Sequence, residues 1–199
     1  MHCIKKLMVT LLFACPSLVL ALPFYLGGEG GYGFINYNNI ALSNNYTATA
    51  PNKTRFAARP VGGYFFNRYI GVELSTIYFM NPEFTSVTNS AGTVRFPNKS
   101  ILNNLTYAGA IGNISLLAKR LYLQPLVGIG FIGRKGILDG NTIVLKQGTF
   151  VRPVFGLGFR VMMHKGWYAS TAWRYTPMNK SDQLPATNFV GVGAGYQFE

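Results

Sequence analysis

Apolar and polar side chains alternate along several stretches of this 199-residue chain. The clearest stretch runs from Phe150 to Met163, where every second residue from Val151 onward is apolar and the residues between them include Arg152 and Arg160. A period of two is typical of a β-strand whose two faces meet different surroundings. An antiparallel sheet in a soluble protein shows the same alternation, so one strand does not decide the class of protein.

Eight segments of this kind are predicted as strands. They are Phe24–Tyr37, Arg55–Phe66, Ile70–Phe79, Asn104–Leu117, Leu121–Ile132, Thr149–Met163, Trp167–Thr176 and Thr187–Phe198. The fourth segment alternates poorly, and either of its two sets of side chains could face inward. No run of about 18 apolar residues follows residue 21, so any membrane crossing is predicted to use strands.

The connections between these segments alternate in length without exception. The short ones are Asn67–Tyr69, Ala118–Arg120 and His164–Gly166, and the long ones are Asn38–Thr54, Met80–Asn103, Gly133–Gly148 and Pro177–Ala186. An outer-membrane barrel keeps its turns short on the periplasmic side and its loops long outside, whereas a soluble sandwich has no reason to segregate them. The sequence therefore predicts an all-β fold, an eight-stranded antiparallel up-and-down transmembrane β-barrel.

The composition agrees with a lipid-facing surface. Apolar residues make up 49% of the chain and charged residues only 12%, which would leave a water-exposed surface poorly covered. The barrel prediction therefore places the chain in the outer membrane of a Gram-negative bacterium.

The N-terminus has the features of a secretory signal peptide. Lys5 and Lys6 precede an apolar stretch over Leu7–Leu20, and the small residue Ala21 offers a cleavage site. We therefore expect a signal peptide over residues 1–21 and a barrel domain over residues 22–199. A lipoprotein signal at Leu12–Cys15 is the alternative, and Pro16 disfavours it.

Both cysteines lie inside the predicted signal, so the barrel domain is expected to have no disulfide. Removing the two signal lysines from 18 basic residues leaves 16 against 6 acidic ones, a net charge of +10. For an exported chain, this excess favours an anionic lipid surface over nucleic acid as partner. Lipopolysaccharide phosphates and host surface ligands are the expected contacts of basic residues in or beside the long loops: Lys53, Arg55, Arg95, Lys99, Arg134, Lys135, Lys146 and Lys180.

Two internal stretches resemble a known family. Residues Gly63–Leu74 resemble the second and third strands of the OmpA-type transmembrane barrel, with a Gly-Tyr pair, a tight Asn turn and a Gly-x-Glu. Residues Leu121–Gly130 resemble a fifth strand of the same family, with its proline and spaced glycines. The resemblance implies the fold of the wider superfamily of small outer-membrane barrels.

The last strand is similar to the C-terminal assembly signal of outer-membrane proteins. Apolar residues occupy every second position of Val190–Phe198, and the strand ends on the aromatic residues Tyr196 and Phe198. This similarity implies recognition by the outer-membrane assembly machinery, although Glu199 follows the terminal aromatic. The family's peptidoglycan-binding domain does not follow this strand, so cell-wall anchoring is not expected.

Six charged residues fall on the inward faces of the predicted strands, where charges can pair away from lipid: Glu29, Arg59, Glu73, Arg152, Arg160 and Arg174. Counting from the short turns places Glu29, Glu73 and Arg160 at one level, with Arg59 and Arg174 roughly 10 Å higher. We expect Glu29 and Glu73 to form a network with Arg59, Arg160 and Arg174, resembling the internal salt bridges of OmpA-type barrels. Eight strands leave room only for side chains, so a structural plug is favoured over a gate.

Catalytic chemistry has little support in the sequence. His164 is the one histidine after the signal, and it lies in a predicted short turn without a neighbouring serine. Neither metal-ligand spacing nor a phosphate-binding glycine loop is present, so no cofactor is expected. Two functions remain: a structural and surface-interaction protein, or a narrow channel for ions or small solutes. A lipid-modifying enzyme has the least support.

Overall fold

The computed structural model describes residues 23–36, 47–49, 54–80, 83–89, 92–100, 102–117, 120–134, 136–139, 142–145 and 147–198. The predicted signal peptide lies outside these residues. In the part of the chain that is described, no helix is long and apolar enough to cross a membrane.

The regular secondary structure of the described residues consists of strands. In chain order these are β1 Phe24–Asn36, β2 Thr47–Thr49, β3 Thr54–Phe65, β4 Ile70–Phe79, β5 Glu83–Asn89, β6 Gly92–Ser100, β7 Leu102–Gly112, β8 Ile114–Leu117, β9 Leu121–Arg134, β10 Ile137–Asp139, β11 Thr142–Leu145, β12 Gly148–Met162, β13 Trp167–Thr176 and β14 Ala186–Gln197.

The long strands close into a barrel. They follow the order β12-β13-β14-β1-β3-β4-β7-β9, with antiparallel neighbours, and β9 pairs back onto β12. Strand β8 continues the line of β7 beyond Asn113, because Ile111 and Ile114 pair with Leu126 and Leu123 of β9 in one register. The barrel wall therefore has eight strands, which confirms the predicted fold class.

The strand boundaries agree closely with the alternation. Two predicted strands, Ile70–Phe79 and Trp167–Thr176, have the bounds seen in the structure. In the poorly alternating fourth segment, Leu105, Tyr107 and Ile111 are buried, so the odd-numbered set faces the lumen. Its alternation is weak because small residues, Ala108 and Ala110, occupy the outward positions between them.

Three of the long connections contain short strands that the alternation did not predict. Strands β2, β5 and β6 form a separate three-stranded sheet, and β10 pairs with β11 in a two-stranded one. Segments such as Glu83–Asn89 and Thr142–Leu145 are rich in threonine and β-branched residues, which suit strands. Their asparagine and glycine neighbours indicated loops and masked this shorter alternation.

Lipid-facing and lumenal faces follow the alternation of each strand. On β12, Val151, Phe155, Leu157, Phe159 and Val161 are all exposed on the outer surface. The buried apolar side chains instead meet inside the barrel, where Tyr25, Ile77, Tyr107 and Phe189 are fully buried. A continuous apolar exterior around a partly charged interior is the arrangement expected of a transmembrane barrel.

Candidate functional site

The lumen holds a buried hydrogen-bonded cluster centred on Glu73 of β4. Glu73 Oε1 accepts hydrogen bonds from Arg59 Nη2 at 2.5 Å, Arg174 Nη2 at 2.9 Å and the Tyr107 hydroxyl at 2.9 Å. Its other oxygen, Oε2, accepts from the Tyr25 hydroxyl at 3.0 Å. Only 3% of Glu73 is exposed, so its charge is satisfied by protein groups rather than by water.

Arg59 of β3 links the two glutamates. Its Nη1 donates to Glu29 Oε2, and its Nε donates to the hydroxyls of Ser75 and Tyr107, each at 3.0 Å. Glu29 is completed by the Ser170 hydroxyl, which donates to Oε1 at 2.8 Å. Arg59 thus places three of its donors on lumenal acceptors while remaining 1% exposed.

The cluster crosses the full width of the barrel. Glu73 lies on β4 and Arg174 on β13, and these strands are four places apart in the closed ring of eight. Strands four places apart in such a ring stand on opposite walls. The ion pair between Arg174 Nη2 and Glu73 Oε1, 2.9 Å long, therefore spans the lumen. Arg174 Nε also donates to the Tyr107 hydroxyl at 2.9 Å.

The predicted levels of the charges need one correction. Glu29 and Arg59 are direct partners across β1 and β3, so they lie at the same height rather than roughly 10 Å apart. The count from the turns failed because it treated each hairpin separately. A long connection joins β1 to β3 at the other end of the barrel, so the register of this pair cannot be counted from a short turn.

Arg160 stands apart from this cluster, contrary to the expected network. Among the described residues it has no ion pair with either glutamate, and its guanidinium carbon lies 4.0 and 4.2 Å from the ring centroids of Tyr25 and Tyr168. It is 3% exposed. The faces of the two rings therefore attract this cation, while the Tyr25 hydroxyl donates to Glu73.

Arg152 is also outside the glutamate cluster, near the extracellular mouth. Its Nη2 forms an ion pair with Asp182 of the last long loop. Arg134 donates to the main-chain oxygens of Gln183 at 2.6 Å and Asp182 at 2.9 Å. Leu184, in the same loop, is 1% exposed, so this loop folds into the mouth of the barrel.

Two residues predicted as loop cations belong to barrel strands. Arg134 ends β9 and is buried at 4% exposure, while Arg55 lies in β3 and is partly buried. Both fall on lumenal positions of their strands: Arg134 lies beyond Ile132, the predicted end of its strand, and Arg55 is the first residue of its predicted strand. Arg134, which is buried and donates to main-chain oxygens, is therefore unsuited to contact a partner at the cell surface.

The other predicted loop cations are distributed as follows. Lys180 is exposed in the last loop, and Arg95 and Lys99 belong to β6. The described residues do not include Lys53, Lys135 and Lys146.

The hydroxyl groups of the cluster were missed from the sequence. Tyr25 and Tyr107 donate to Glu73, Ser170 donates to Glu29, and Ser75 accepts from Arg59. Tyr25, Ser75 and Ser170 share the inward parity of the charged residues on their strands, and that parity is the signal that could have identified them. Strand β7, which contains Tyr107, has no charged residue to indicate its inward set.

The periplasmic end carries a set of aromatic contacts. The rings of Phe24 and Phe198 stack with centroids 4.1 Å apart, and Tyr196 packs edge-on against Trp167 at 5.5 Å. Both predicted assembly-signal residues thus lie where the last strand meets its neighbours.

Glycine makes room for the lumenal arginines. Gly156 of β12 faces Arg174 of β13 as its direct cross-strand partner. A Cβ on Gly156 would lie 2.6 Å from Arg174 Cδ and 2.9 Å from its Nη1. The Arg174 side chain can therefore reach Glu73 only because its cross-strand partner lacks a side chain.

We expect Gly156→Ala to destabilise the barrel by about 1–3 kcal/mol, because the added methyl group displaces Arg174. The measurement is the urea midpoint of the refolded barrel, read from heat-modifiable migration on gels. Gly28→Ala is the matched control, since a Cβ there meets nothing within 4 Å. A loss in Gly28→Ala equal to that in Gly156→Ala would contradict this explanation.

These features define a class of protein: a closed antiparallel β-barrel with an apolar outer band and a charged, filled lumen. The chain belongs to the family described as outer membrane protein beta-barrel domain, whose model matches residues 7–198. Its location is the outer membrane of a Gram-negative bacterium.

Similar proteins include an uncharacterised protein of Coxiella burnetii, 23% identical over 88% of this chain and 85% of that protein. Among solved structures, the N-terminal barrel domain of OprF from Pseudomonas aeruginosa is 12% identical, covers 89% of this chain and 98% of its own, and has a TM-score of 0.54. Ail, the attachment invasion locus protein of Yersinia pestis, is 13% identical with 89% and 99% coverage and the same TM-score of 0.54. At these identities the comparison shows that the two structures and this chain have the same fold, and no more than that.

Proposed function

We propose that this protein is a closed outer-membrane barrel that reinforces the membrane and presents four loops for contacts at the cell surface. The observation that supports it is the ion-paired cluster that joins opposite walls of the lumen. Glu73, Arg59, Arg174 and Tyr107 are each at most 3% exposed, so water does not reach the groups of this cluster. A barrel filled in this way is an anchor for its loops.

The strands within the long connections support the surface role. Strands β5 and β6 pair with each other, and β2 adds a third strand beside β5. This sheet lies outside the barrel wall and contains Arg95 and Lys99. We propose that anionic groups, such as lipopolysaccharide phosphates or host surface polyanions, are its partners.

Catalysis is not part of this proposal. His164 lies exposed in the turn between β12 and β13, at the end of the barrel away from the long loops. Within the described ranges, no group of three histidine, cysteine, aspartate or glutamate side chains is placed to hold a metal ion.

The two ends of the chain carry the signals proposed for export and assembly. We propose residues 1–21 as a cleaved export signal and residues 22–199 as the barrel domain, with Tyr196 and Phe198 recognised by the assembly machinery. N-terminal sequencing of the protein from purified outer membranes tests the cleavage position.

Planar bilayer recording tests the closed lumen. We expect no steady conductance above background from the wild-type barrel, because the cluster blocks the lumen at its centre. A large porin recorded in the same bilayers verifies that the measurement detects channels. Reproducible unit steps from the wild-type protein would instead assign it to the narrow channels.

Replacing residues 84–99 by a short Gly-Ser connector tests the surface role. We expect cells producing this variant to lose attachment to anionic surfaces while the barrel stays heat-modifiable, since β5 and β6 belong to a sheet separate from its wall. A paired Arg95→Gln and Lys99→Gln variant separates charge from loop length. Unchanged attachment by both variants would remove β5 and β6 from the proposal.

A further inference from the structure

A cavity of about 540 Å³ lies at the periplasmic mouth of the barrel. Its lining includes Asn113, Tyr122, Arg160, Lys165 and Gln197, and none of its lining residues belongs to the Glu73 cluster. Arg160 and Tyr122 are direct partners on β12 and β9, so both side chains leave the wall on the lumenal side. The cavity therefore lies between the lumen of the barrel and the short turn that joins β12 to β13.

The guanidinium of Arg160 borders this cavity with hydrogen-bonding capacity unused. Its Nε and Nη1 are buried, and neither has a hydrogen-bond partner among the residues described. The rings of Tyr25 and Tyr168 lie against the cation, but aromatic faces attract charge without supplying the lone pairs that its N–H groups require. A buried donor of this kind is unfavourable unless an acceptor reaches it.

The buried charges of the Glu73 cluster and of Arg160 do not balance. Arg59, Arg174 and Arg160 are all buried, whereas the buried carboxylates are Glu29 and Glu73. Both carboxylates already accept from Arg59, and Glu73 also accepts from Arg174. Arg160 is thus a third buried cation, and Lys165 adds positive charge at the rim of the same cavity. An uncompensated buried charge is costly, which favours an anion beside it.

We propose that this cavity is a binding site for a soluble oxyanion, the phosphate or carboxylate group of a periplasmic solute. The planar guanidinium of Arg160 suits two oxygens of such a group, and Lys165 supplies a second charge from the exposed turn. The amide of Gln197 and the phenol of Tyr122 add polar lining. The volume lies within the range of small-molecule pockets, so the site admits a solute larger than the bare ion.

Inorganic phosphate is the probe, titrated at constant chloride into the refolded chain in neutral phosphatidylcholine nanodiscs. Trp167 reports the cavity, because its ring packs on Tyr196 at 5.5 Å and Tyr196 lines the cavity. The chain has 2 tryptophans, so Trp173→Phe leaves Trp167 as the single reporter. We expect a saturable change in its fluorescence with phosphate, and a similar change with acetate at higher concentration.

Arg160→Met is expected to weaken phosphate binding by about ten- to hundredfold, because it removes the charged donors. The variant keeps an unbranched stem against Tyr25 and Tyr168, and heat-modifiable migration shows that it folds. Lys165→Gln lies in an exposed turn and is expected to weaken binding by about three- to fivefold without affecting folding.

Arg68→Gln is the matched control, since it removes a cation from another short turn, and the Arg68 side chain packs over Tyr69 and is not part of the cavity lining. We expect its affinity for phosphate to equal that of the parent. Equal losses in Lys165→Gln and Arg68→Gln would show general attraction to a basic surface and overturn the site. The titration is repeated in nanodiscs that contain phosphatidylglycerol. The assignment to a soluble oxyanion would be overturned if the parent gave no saturable response, or if it responded only in the nanodiscs with phosphatidylglycerol.

Discussion

Glu73→Gln is expected to destabilise the barrel by about 3–5 kcal/mol, the loss typical when one partner of a buried ion pair is removed. Glutamine keeps the shape of the side chain but not its charge. Arg174 would then lose its only described carboxylate partner, and Arg59 would keep Glu29 alone. The free energy of unfolding, measured by urea titration in lipid vesicles, tests this expectation.

Two further variants separate charge pairing from general sensitivity of the chain. Glu83→Gln removes the same charge from β5, outside the barrel wall, and is expected to leave the unfolding free energy within about 0.5 kcal/mol of the wild type. The double variant Glu73→Gln with Arg174→Met is expected to recover part of the loss, because it removes both charges of the pair that spans the lumen. Strictly additive losses in the double variant would contradict direct coupling across the lumen.

Leu157→Arg is expected to destabilise the barrel by about 2–4 kcal/mol in a lipid bilayer, the cost of a cation at the middle of the apolar band. Leu157 is exposed on the outer face of β12, midway between Val151 and Met163. The lipid there cannot hydrogen-bond the guanidinium, and the side chain is too far from either interface to be hydrated without cost. Folding into vesicles followed by urea titration measures the difference.

Val151→Arg is the matched control on the same face of the same strand. Val151 lies six residues nearer the extracellular end, which corresponds to roughly 15 Å along the membrane normal for a tilted strand. Near the interface the same substitution is expected to cost at most about 1 kcal/mol. Equal tolerance of arginine at both positions would show that the outer face of β12 does not cross the lipid.

The faces of the wall could be predicted because alternation is a local property. Each residue of a strand points to the opposite side from its neighbour, so the apolar series from Val151 to Met163 indicated the lipid side of β12 without knowledge of any other strand. The same parity placed Glu73, Arg59 and Arg174 in the lumen. Loop lengths added the topology, because short turns pair consecutive strands at one end only.

The partners of each charge could not be predicted in this way. Glu73 and Arg174 are 101 residues apart in the chain, and Ser170 and Glu29 are 141 apart. Whether they meet depends on the register of every strand pair between them and on the closure of β9 onto β12. The expected levels of Glu29 and Arg59 failed because they depend on the register of β1 against β3. The expected place of Arg160 failed because its contacts are with side chains of other strands, Tyr25 and Tyr168.

The loops show a second limit of local patterns. Arg134 was predicted as a basic residue of a long loop. Its strand extends beyond Ile132, where the predicted strand ends, and Arg134 donates to main-chain oxygens of a loop about fifty residues later, with Gln183 at a separation of 49. A contact of that kind exists only after the last loop has folded into the barrel mouth.

The sequence by itself determined the class of fold, the two faces of each strand, the side on which the long connections lie, and the kinds of residue that fill the lumen. These depend on the period of two and on distances along the chain, which are the same before and after folding. The tertiary structure alone decided three features. Glu73 pairs with Arg174 of the opposite wall, Arg160 packs against aromatic rings beside a cavity, and three segments of the long connections pair as a sheet. Those contacts depend on register and ring closure, which are set by the packing of the whole barrel.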